Sequence, residues 1–254
     1  MNAFFKTLVT FIGLTLAGYG YAANQTITFA MEATYPPFES VNQSGNVVGF
    51  DVDIANSICA KIAATCVFKN SPWDSLIPGL KLGKFDAIIS AVAITNAREK
   101  QVAFSQPYYF ATASFVAGTT NSIDLTSDGL KNKSVGVQGG TAMANYMFGF
   151  YKNAGVDTKT YASINDAFLD LKSGRIDAVL ADTPIAKTWL TQDENQLNYK
   201  IVGQPIQDPT YFGRGMGIAI NKKNTELLQK INWGLNQIKA DGTYDKIVAT
   251  YFGN

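Results

Sequence analysis

Apolar and polar residues follow each other along the chain in blocks that predict strands alternating with helices. Residues 27–31 form a short β-rich apolar run that ends before two prolines, whereas residues 50–62 carry apolar side chains at helical spacing. A second strand is predicted to begin at residues 67–68, a second helix to cover 75–82 and a third strand to cover 85–90. This alternation predicts an α/β fold with a parallel, doubly wound sheet.

The same alternation returns in the second half of the chain. It predicts a strand over 134–137, helices over 141–151 and 167–173, and a strand over 178–181. The segments LKLGKFDAII (80–89) and LKSGRIDAVL (171–180) correspond position by position, with a glycine where a helix ends and Asp-Ala before a strand. An internal repeat and convergent turn chemistry both explain this likeness, and either reading predicts two similar α/β lobes.

The end of the chain predicts how the two lobes are connected. Residues 224–239 form an amphipathic helix, followed by Ala-Asp-Gly and a final short helix. The apolar face of this helix can join the first lobe only if the chain leaves that lobe near Phe110 and returns at 213–216. We therefore expect one lobe from residues 23–110 and 216–254, a second from 111–215, and a hinge of two crossing strands.

The N-terminal residues are typical of a secretory signal peptide. Lys6 is the only charged residue before Glu32, and an apolar run over 8–16 is followed by small residues up to a cleavage site near Ala22. A membrane anchor is the alternative, but the run is shorter than the ~20 apolar residues that span a bilayer. The sequence thus predicts an exported protein whose mature part begins near Ala23.

Composition and charge narrow the function classes. With 46% hydrophobic and 16% charged residues, the chain is an ordinary globular protein. Removal of residues 1–22 takes one lysine from 21 basic residues and no acid from 20 acidic ones, which leaves 20 of each. The basic residues are spread along the chain, so no basic stripe predicts nucleic-acid binding.

The two cysteines, Cys59 and Cys66, lie in the exported part with six residues between them. A short-loop disulfide is the natural interpretation for an exported protein, with two free thiols or a metal site as alternatives. The chain contains no histidine and no further cysteine, which argues against a zinc site. No cofactor is predicted.

Several segments together resemble a known family. They are AMEATYPPFES (30–40), GFDVDIA (49–55), AITNAREKQVAFSQPYY (93–109), VGVQGGT (135–141), GRIDAVLADT (174–183) and KADGTYDKI (239–247). The chain resembles the periplasmic amino-acid-binding proteins of ABC importers, bacterial solute-binding protein family 3, and most of all their arginine-binding branch. The resemblance covers essentially the whole exported part.

The resemblance carries expectations about fold and partners. It implies two α/β lobes joined by two crossovers, the periplasmic binding protein type II architecture, which close around a free L-amino acid in the periplasm. The implied partners are that amino acid, which we expect to be arginine, and the membrane permease of an importer, and the protein is expected to be a monomer. Cys59 and Cys66 match a disulfide position in binders of basic amino acids.

The resemblance assigns the α-carboxylate of the ligand to Arg98, which lies in an Ile-Thr-x-x-Arg motif after the third strand. A planar guanidinium can bind both carboxylate oxygens. The alternative is an Arg98 that pairs on the surface with Glu99 or Asp86. Backbone amides of Thr141 and Ala142, at the start of a helix, are expected to add donors. At Ala142 relatives usually carry a hydroxyl, so there only an amide contact is expected.

Asp182, directly after a strand, is the expected partner of the α-ammonium, since ligands bind at the carboxyl ends of strands in open α/β sheets. Its alternative role is to cap the helix that begins at Thr183-Pro184, and the two roles are compatible. Ser90 is expected to help through its hydroxyl, and Ala91 and Ala93 stand where relatives often carry polar groups. Gln138 is also expected to line the site.

The ligand side chain is expected between Tyr35 and Trp73, with Glu32 at its end. A guanidinium between two aromatic rings gains about 0.5–2 kcal/mol per face, and a carboxylate neutralises its edge. The alternatives are loop packing for Tyr35 and Phe38, core burial for Trp73 and a solvated loop acid for Glu32. This combination predicts a preference for arginine and disfavours acidic ligands.

Other ligands and other functions are compatible with parts of this pattern. Lysine, ornithine, histidine and glutamine are alternative ligands of the same α-amino and α-carboxylate clamp. The fold also occurs in periplasmic dehydratases and in receptor domains. An enzyme needs a general acid or base suited to neutral pH, and the expected cleft acids already have binding roles. We therefore predict no catalytic residues and no enzyme activity.

Overall fold

The computed structural model describes residues 25–192 and 194–253 of the 254-residue chain. The predicted signal peptide, residues 1–22, lies outside the described residues. Among the residues that are described, no helix is long and apolar enough to cross a membrane.

The first third of the chain follows the predicted alternation of strands and helices. A 3-10 turn over Trp73–Ser75 precedes the second helix. The elements are β1 (Gln25–Met31), β2 (Thr34–Tyr35), β3 (Glu39–Val41), β4 (Val47–Val48), α1 (Phe50–Lys61), β5 (Ala64–Asn70), α2 (Leu76–Lys81), β6 (Ala87–Ile88), α3 (Asn96–Glu99) and β7 (Ala103–Phe104).

The middle and the end of the chain contain a second set of elements. They are β8 (Ala113–Gly118), β9 (Ser134–Gln138), α4 (Ala142–Phe150), β10 (Asp157–Tyr161), α5 (Ile164–Lys172), β11 (Ala178–Asp182), α6 (Thr183–Leu190), α7 (Asn195–Asn198), β12 (Tyr199–Ile206), α8 (Pro209–Phe212), β13 (Ala219–Ile220), α9 (Thr225–Ala240) and α10 (Thr243–Phe252).

Two five-stranded sheets form two lobes. The first lobe has the strand order β5-β1-β6-β13-β7, with the small sheet β2-β3-β4 beside it, and the second lobe has the order β10-β9-β11-β8-β12. The prediction of parallel strands is correct for β1, β5 and β6 and for β9, β10 and β11. It is wrong for β8, β12 and β13, which pair antiparallel with their neighbours. The strand that follows each crossing, β8 or β13, thus runs against the other strands of its sheet.

Helices cover both faces of each sheet. In the second lobe Val179 packs in the core formed with α5, whereas the next residue, Leu180, packs in the core formed with α4. In the first lobe Phe29 faces α1 and α9, whereas Ala30 faces α2. Since successive strand residues point to opposite faces, this alternation is what a doubly wound sheet requires.

The repeated phrase has the same structural role in both lobes. Gly83 and Gly174 each end a helix with positive φ, at 70° and 69°. Three residues later, Asp86 accepts a hydrogen bond from the backbone N–H of Thr28, and Asp177 accepts one from Ser134, both at 2.8 Å. Each aspartate therefore ties the start of its strand to the neighbouring strand.

The chain crosses between the lobes twice, and the two crossings are hydrogen-bonded to each other. The backbone N–H of Met216 donates to the carbonyl of Tyr109 at 2.8 Å, and Tyr108 N–H donates to the carbonyl of Met216 at 2.9 Å. Gly213 has φ 73°, and a Cβ there would collide with the carbonyl of Ile94. Only glycine fits this close approach.

The last two helices return to the first lobe, as the amphipathic pattern predicts. The apolar side of α9, with Leu227, Ile231, Leu235 and Ile238, is buried in the first lobe's core. Cys59 and Cys66 form a disulfide that joins α1 to β5, with 6.0 Å between their Cα atoms. This confirms the disulfide and excludes the free-thiol and metal alternatives.

Candidate functional site

A cavity of about 260 Å³ lies between the two lobes, where the carboxyl ends of the parallel strands meet. All eleven side chains singled out from the sequence line it, although their roles in binding stay predictions. The first lobe contributes seven of them and the second lobe four. They are Glu32, Tyr35, Trp73, Ser90, Ala91, Ala93 and Arg98, and Gln138, Thr141, Ala142 and Asp182.

Arg98 lies inside the cavity and does not pair on the surface. Its guanidinium donates to the carbonyl oxygens of Ala93 at 3.0 Å and Gly140 at 3.1 Å. Burial lowers the pKa of Arg98 to about 10, opposed by the charge of Asp182, so the group remains a cation at neutral pH. The alternative of a pair with Glu99 is wrong, because Glu99 pairs with Arg214 at 2.6 Å.

The pair of Arg98 with Asp86 is also wrong, because the Asp86 carboxylate binds the backbone of β1. Arg98 lies in the first turn of α3, which begins at Thr95. The Thr95 hydroxyl caps this helix by accepting a hydrogen bond of 3.3 Å from the backbone N–H of Arg98. This cap places the guanidinium at the cavity wall. The Arg98 Cζ atom lies 5.2 Å from the centroid of the Trp73 ring.

The start of α4 faces the cavity from the second lobe. Thr141 occupies the N-cap, where its hydroxyl accepts from the N–H of Ala144 at 3.2 Å and donates to the carbonyl of Gln138 at 2.7 Å. The hydroxyl is therefore occupied within the protein. The first amides of a helix have no partner inside the helix, and the N-terminal dipole favours an anion there.

Asp182 lies at the end of β11 and faces the first lobe. Its Oδ2 accepts a hydrogen bond from the hydroxyl of Tyr35 at 2.8 Å. It occupies the N-cap position of α6, but its side chain accepts no hydrogen bond from that helix, so the capping role is absent. Burial raises the pKa of Asp182 to about 6, opposed by the Tyr35 hydrogen bond and by the charge of Arg98.

Glu32 is buried between the lobes rather than solvated. Its Oε2 accepts a hydrogen bond of 2.6 Å from the amide of Gln138, which also donates to the carbonyl of Ala162. Burial raises the pKa of Glu32, and the Gln138 hydrogen bond opposes this shift. Tyr35 is likewise buried at the cavity wall, whereas Phe38 packs in the aromatic core below and does not line the cavity.

Ser90 and Ala91 form the floor of the cavity above two buried acids. The Ser90 hydroxyl, expected to help bind an ammonium, donates to Glu39 at 2.6 Å and accepts from the N–H of Glu32 at 3.0 Å. Ala91 has φ 46°, and its N–H donates to Asp51 at 2.8 Å. The strained residue is thus held by a buried carboxyl group.

Sequence reasoning did not place Glu39 in the site. It lines the cavity although its side chain is fully buried, at 0% exposure. The one local signal is its position in Pro-Pro-Phe-Glu, where a charged residue follows an aromatic that enters the core. Gln207, Asp208 and Phe110, near the crossings, were missed too, and no residue pattern marks them.

Apart from those at the crossings, four side-chain hydrogen bonds between described residues link the two lobes, three of them at the cavity. Tyr35 donates to Asp182, Gln138 to Glu32 and Arg98 to the carbonyl of Gly140. The fourth lies outside the cavity, where the side-chain amide of Asn165 donates to the carbonyl of Thr34 at 3.2 Å. The described lobes are therefore in contact, in a closed arrangement. In the described part of the chain, no three His, Cys, Asp or Glu side chains form a group that could hold a metal ion.

Comparisons with known proteins agree with this architecture. The family of bacterial extracellular solute-binding proteins, family 3, matches residues 27–254. The chain is 44% identical over 245 residues to the putative ABC transporter arginine-binding protein 2 of Escherichia coli (strain K12), a match that covers 95% of this chain and 97% of the relative. It is 41% identical over 248 residues to the arginine-binding periplasmic protein of Mannheimia haemolytica, with 98% of each chain covered.

A solved structure shares the fold. An ancestral arginine-binding protein bound to arginine superposes with a TM-score of 0.83 at 41% identity, and the match covers 91% of this chain and 99% of that protein.

Proposed function

Because the chain belongs to the bacterial extracellular solute-binding proteins of family 3, we propose that it captures L-arginine between its lobes in the periplasm and delivers it to an ABC importer. One observation carries this proposal most directly. The cavity has a guanidinium at one side, from Arg98, a half-buried carboxylate at another, from Asp182, and a buried acid, Glu32, in the part that Tyr35 and Trp73 line. This is the complement of an α-carboxylate, an α-ammonium and a cationic side chain.

The α-carboxylate binds Arg98 and the first amides of α4. Loss of water on closure is costly for an ion, so each oxygen needs a charged or amide donor. Arg98 already donates to two carbonyl oxygens, which hold its guanidinium in one orientation without neutralising it. The bond to Ala93 lies within the first lobe and orients the guanidinium before closure, which reduces the side-chain entropy lost on binding, whereas the bond to Gly140 forms when the lobes meet.

The α-ammonium binds Asp182, and the carbonyl oxygens of the floor at Ser90 and Ala91 complete its shell. The Tyr35 hydroxyl donates to Asp182 Oδ2, which leaves Asp182 Oδ1 for the ammonium. The Ser90 hydroxyl donates a hydrogen bond to Glu39 and accepts one from the N–H of Glu32, so its oxygen has less capacity to bind the ammonium than the sequence suggested.

The guanidinium of the ligand lies between Tyr35 and Trp73, with its end at Glu32. Stacking on two rings suits a flat cation better than the compact ammonium of lysine, which holds its water more strongly. The lobes, proposed to comprise residues 23–110 with 216–254 and residues 111–215, close by rotation at the paired crossings. The protein acts as a monomer, and closure presents the liganded surface to the permease. The relatives compared above are named as binding proteins, and we propose binding without catalysis for this chain as well.

The first test is thermal unfolding of refolded, ligand-free protein against the twenty amino acids with ornithine and citrulline. A ligand that binds the native state raises the unfolding midpoint by mass action. We expect the largest shift with arginine, smaller shifts with lysine and ornithine, and none with glutamate. A dominant shift with a neutral amino acid would contradict the side-chain assignment and leave the α-amino and α-carboxylate clamp intact.

Calorimetry with variants tests the individual residues. Arg98→Ala should abolish binding of every amino acid, whereas Glu32→Gln should mainly reduce the preference for arginine over citrulline. The matched control is Arg175→Ala, which removes an exposed arginine of the second lobe that pairs with Asp170 and does not line the cavity. Near-wild-type affinity after Arg98→Ala would refute the carboxylate assignment.

A further inference from the structure

Two carboxyl groups, Glu39 at the start of β3 and Asp51 in the first turn of α1, lie together under the cavity floor. Both side chains are fully buried, at 0% exposure, and they lie close enough for the charge of Asp51 to raise the pKa of Glu39. Among the described residues, no group donates a hydrogen bond to Glu39 Oε2 or to Asp51 Oδ1. A proton on one of these two oxygens supplies the donor that the other one lacks.

The other two oxygens of the pair accept hydrogen bonds from neutral groups only. Glu39 Oε1 accepts from the Ser90 hydroxyl at 2.6 Å, and Asp51 Oδ2 accepts from the N–H of Ala91 at 2.8 Å and the Tyr108 hydroxyl at 2.9 Å. Three neutral donors suit one negative charge. Two buried negative charges side by side would repel each other at low dielectric. The pair therefore carries one proton and one charge.

The surroundings of the pair favour the protonated form. Burial is the main cause that raises the pKa of Glu39, and the charges of Asp51 and Glu32 raise it further, whereas the Ser90 hydrogen bond opposes the shift. Burial also raises the pKa of Asp51. The remaining titratable neighbours are the hydroxyls of Tyr35 and Tyr108, both neutral because burial raises their pKa.

Glu39 connects this buried pair to the cavity. It lines the cavity wall together with Glu32, Tyr35, Trp73 and Ser90, which is the part proposed to hold the ligand's side chain. A positive charge within ~4–6 Å lowers the pKa of a carboxyl group by about 1–3. A cationic side chain in this part of the cavity therefore lowers the pKa of the pair, whereas burial raises it.

We propose that Glu39 and Asp51 share one proton in the ligand-free protein and release it to solvent when a ligand with a cationic side chain is bound. The O–H bond between the two carboxyl groups breaks, the pair changes from one negative charge to two, and the extra charge balances the incoming cation. The inference rests on the proposed function, since it takes the ligand's side chain to be cationic. It makes the selectivity for cationic over neutral side chains increase with pH.

Proton release is measured by calorimetric titration with arginine at pH 8 in two buffers of different ionisation enthalpy. At this pH Asp182, with a pKa of about 6, is already ionised and contributes little. We expect the wild type to release a measurable fraction of a proton, up to one per arginine. Glu39→Gln keeps the shape and can donate to Asp51, so it should bind arginine with no release at pH 8. The matched control, Glu226→Gln, changes an exposed acid on α9 and should release as the wild type does.

A second readout needs no variant. The infrared band of a protonated carboxyl group should disappear from the wild type at pH 8 when arginine is added and persist when citrulline is added. Arginine binding without proton exchange, an unchanged carboxyl band, or equal release by Glu39→Gln and the wild type would each overturn the proton-sharing pair and leave arginine capture standing. Failure of the wild type to bind arginine would instead refute the proposed function, and this inference with it.

Discussion

Lowering the pH below about 6 is expected to weaken arginine binding through Asp182. Burial between the closed lobes raises the pKa of this carboxyl group from 3.8 to about 6, against the opposing Tyr35 hydrogen bond and Arg98 charge. An ammonium in contact with it favours the ionised form and lowers that pKa by about 1–3. The proton and the ligand therefore compete for the same group.

The size of the effect follows from the difference between the two pKa values. If the ligand's ammonium lowers the pKa of Asp182 by about 2, the dissociation constant increases about tenfold per pH unit as the pH falls below 6. The total loss is about 100-fold, or ~2.7 kcal/mol. Above pH 7 Asp182 is ionised with and without ligand, so the affinity no longer changes with pH through this group.

The folding contribution of Asp182 has the opposite pH dependence. Because the folded-state pKa is raised, its stabilising contribution is complete below about 3.8 and is lost as the pH rises through about 6. Asp182→Asn should thus leave the ligand-free protein at least as stable at neutral pH, so a loss of binding would not reflect unfolding.

Calorimetry between pH 4 and 8 checks this for the wild type, for Asp182→Asn and for Asp245→Asn, a control at an exposed position of α10. We expect Asp182→Asn to bind far more weakly at pH 8 and to lose the part of the pH dependence that is centred near pH 6. Any slope that remains reports Glu32 and the Glu39–Asp51 pair, whose pKa values are also raised by burial. An affinity in the wild type that is equal at pH 8 and pH 4.5 would refute the reasoning.

Two further predictions concern positions outside the cavity. Replacing Cys59 and Cys66 by serine removes a cross-link between residues seven positions apart, which costs ~2.5 kcal/mol through the entropy of the unfolded chain. Tm should fall by about 5–10 °C with little change in arginine affinity. An unchanged Tm in differential scanning calorimetry would contradict this prediction. Asn165→Ala removes the exposed hydrogen bond to the Thr34 carbonyl, which is worth about 0.5–1 kcal/mol. Stopped-flow kinetics should therefore show about two- to fivefold faster arginine dissociation. A change confined to the association rate would argue that this contact does not stabilise the closed form.

Much of the fold was predictable because its determinants are local. Gly83 and Gly174, with an aspartate three residues later, mark the same turn in both lobes, and each turn uses the same backbone hydrogen bond. The reversed direction of β8 and β13 was not predictable, because it depends on where the chain re-enters each sheet after a crossing. Hydrophobic periodicity carries no information on strand direction.

The site likewise contains residues that were predictable from local sequence and one that was not. Arg98 and Asp182 follow strands, so the rule that strand ends meet at one edge of a sheet was enough to bring them to a common cavity. Glu39 was missed because its burial depends on Asp51 and Ser90, which lie 12 and 51 residues further along the chain. No local pattern separates such an acid from an ordinary loop residue.

The C-terminal helix offers a place to observe the protein at work. The Phe252 ring stacks on Tyr109 with 4.5 Å between ring centroids, directly beside the paired crossings. A cysteine introduced at exposed Ala249 would carry an environment-sensitive dye within one turn of that contact, and labelling would be selective because Cys59 and Cys66 are already bonded to each other. Such a labelled protein would turn hinge motion into a fluorescence signal and serve as an optical sensor whose reporter does not touch the analyte.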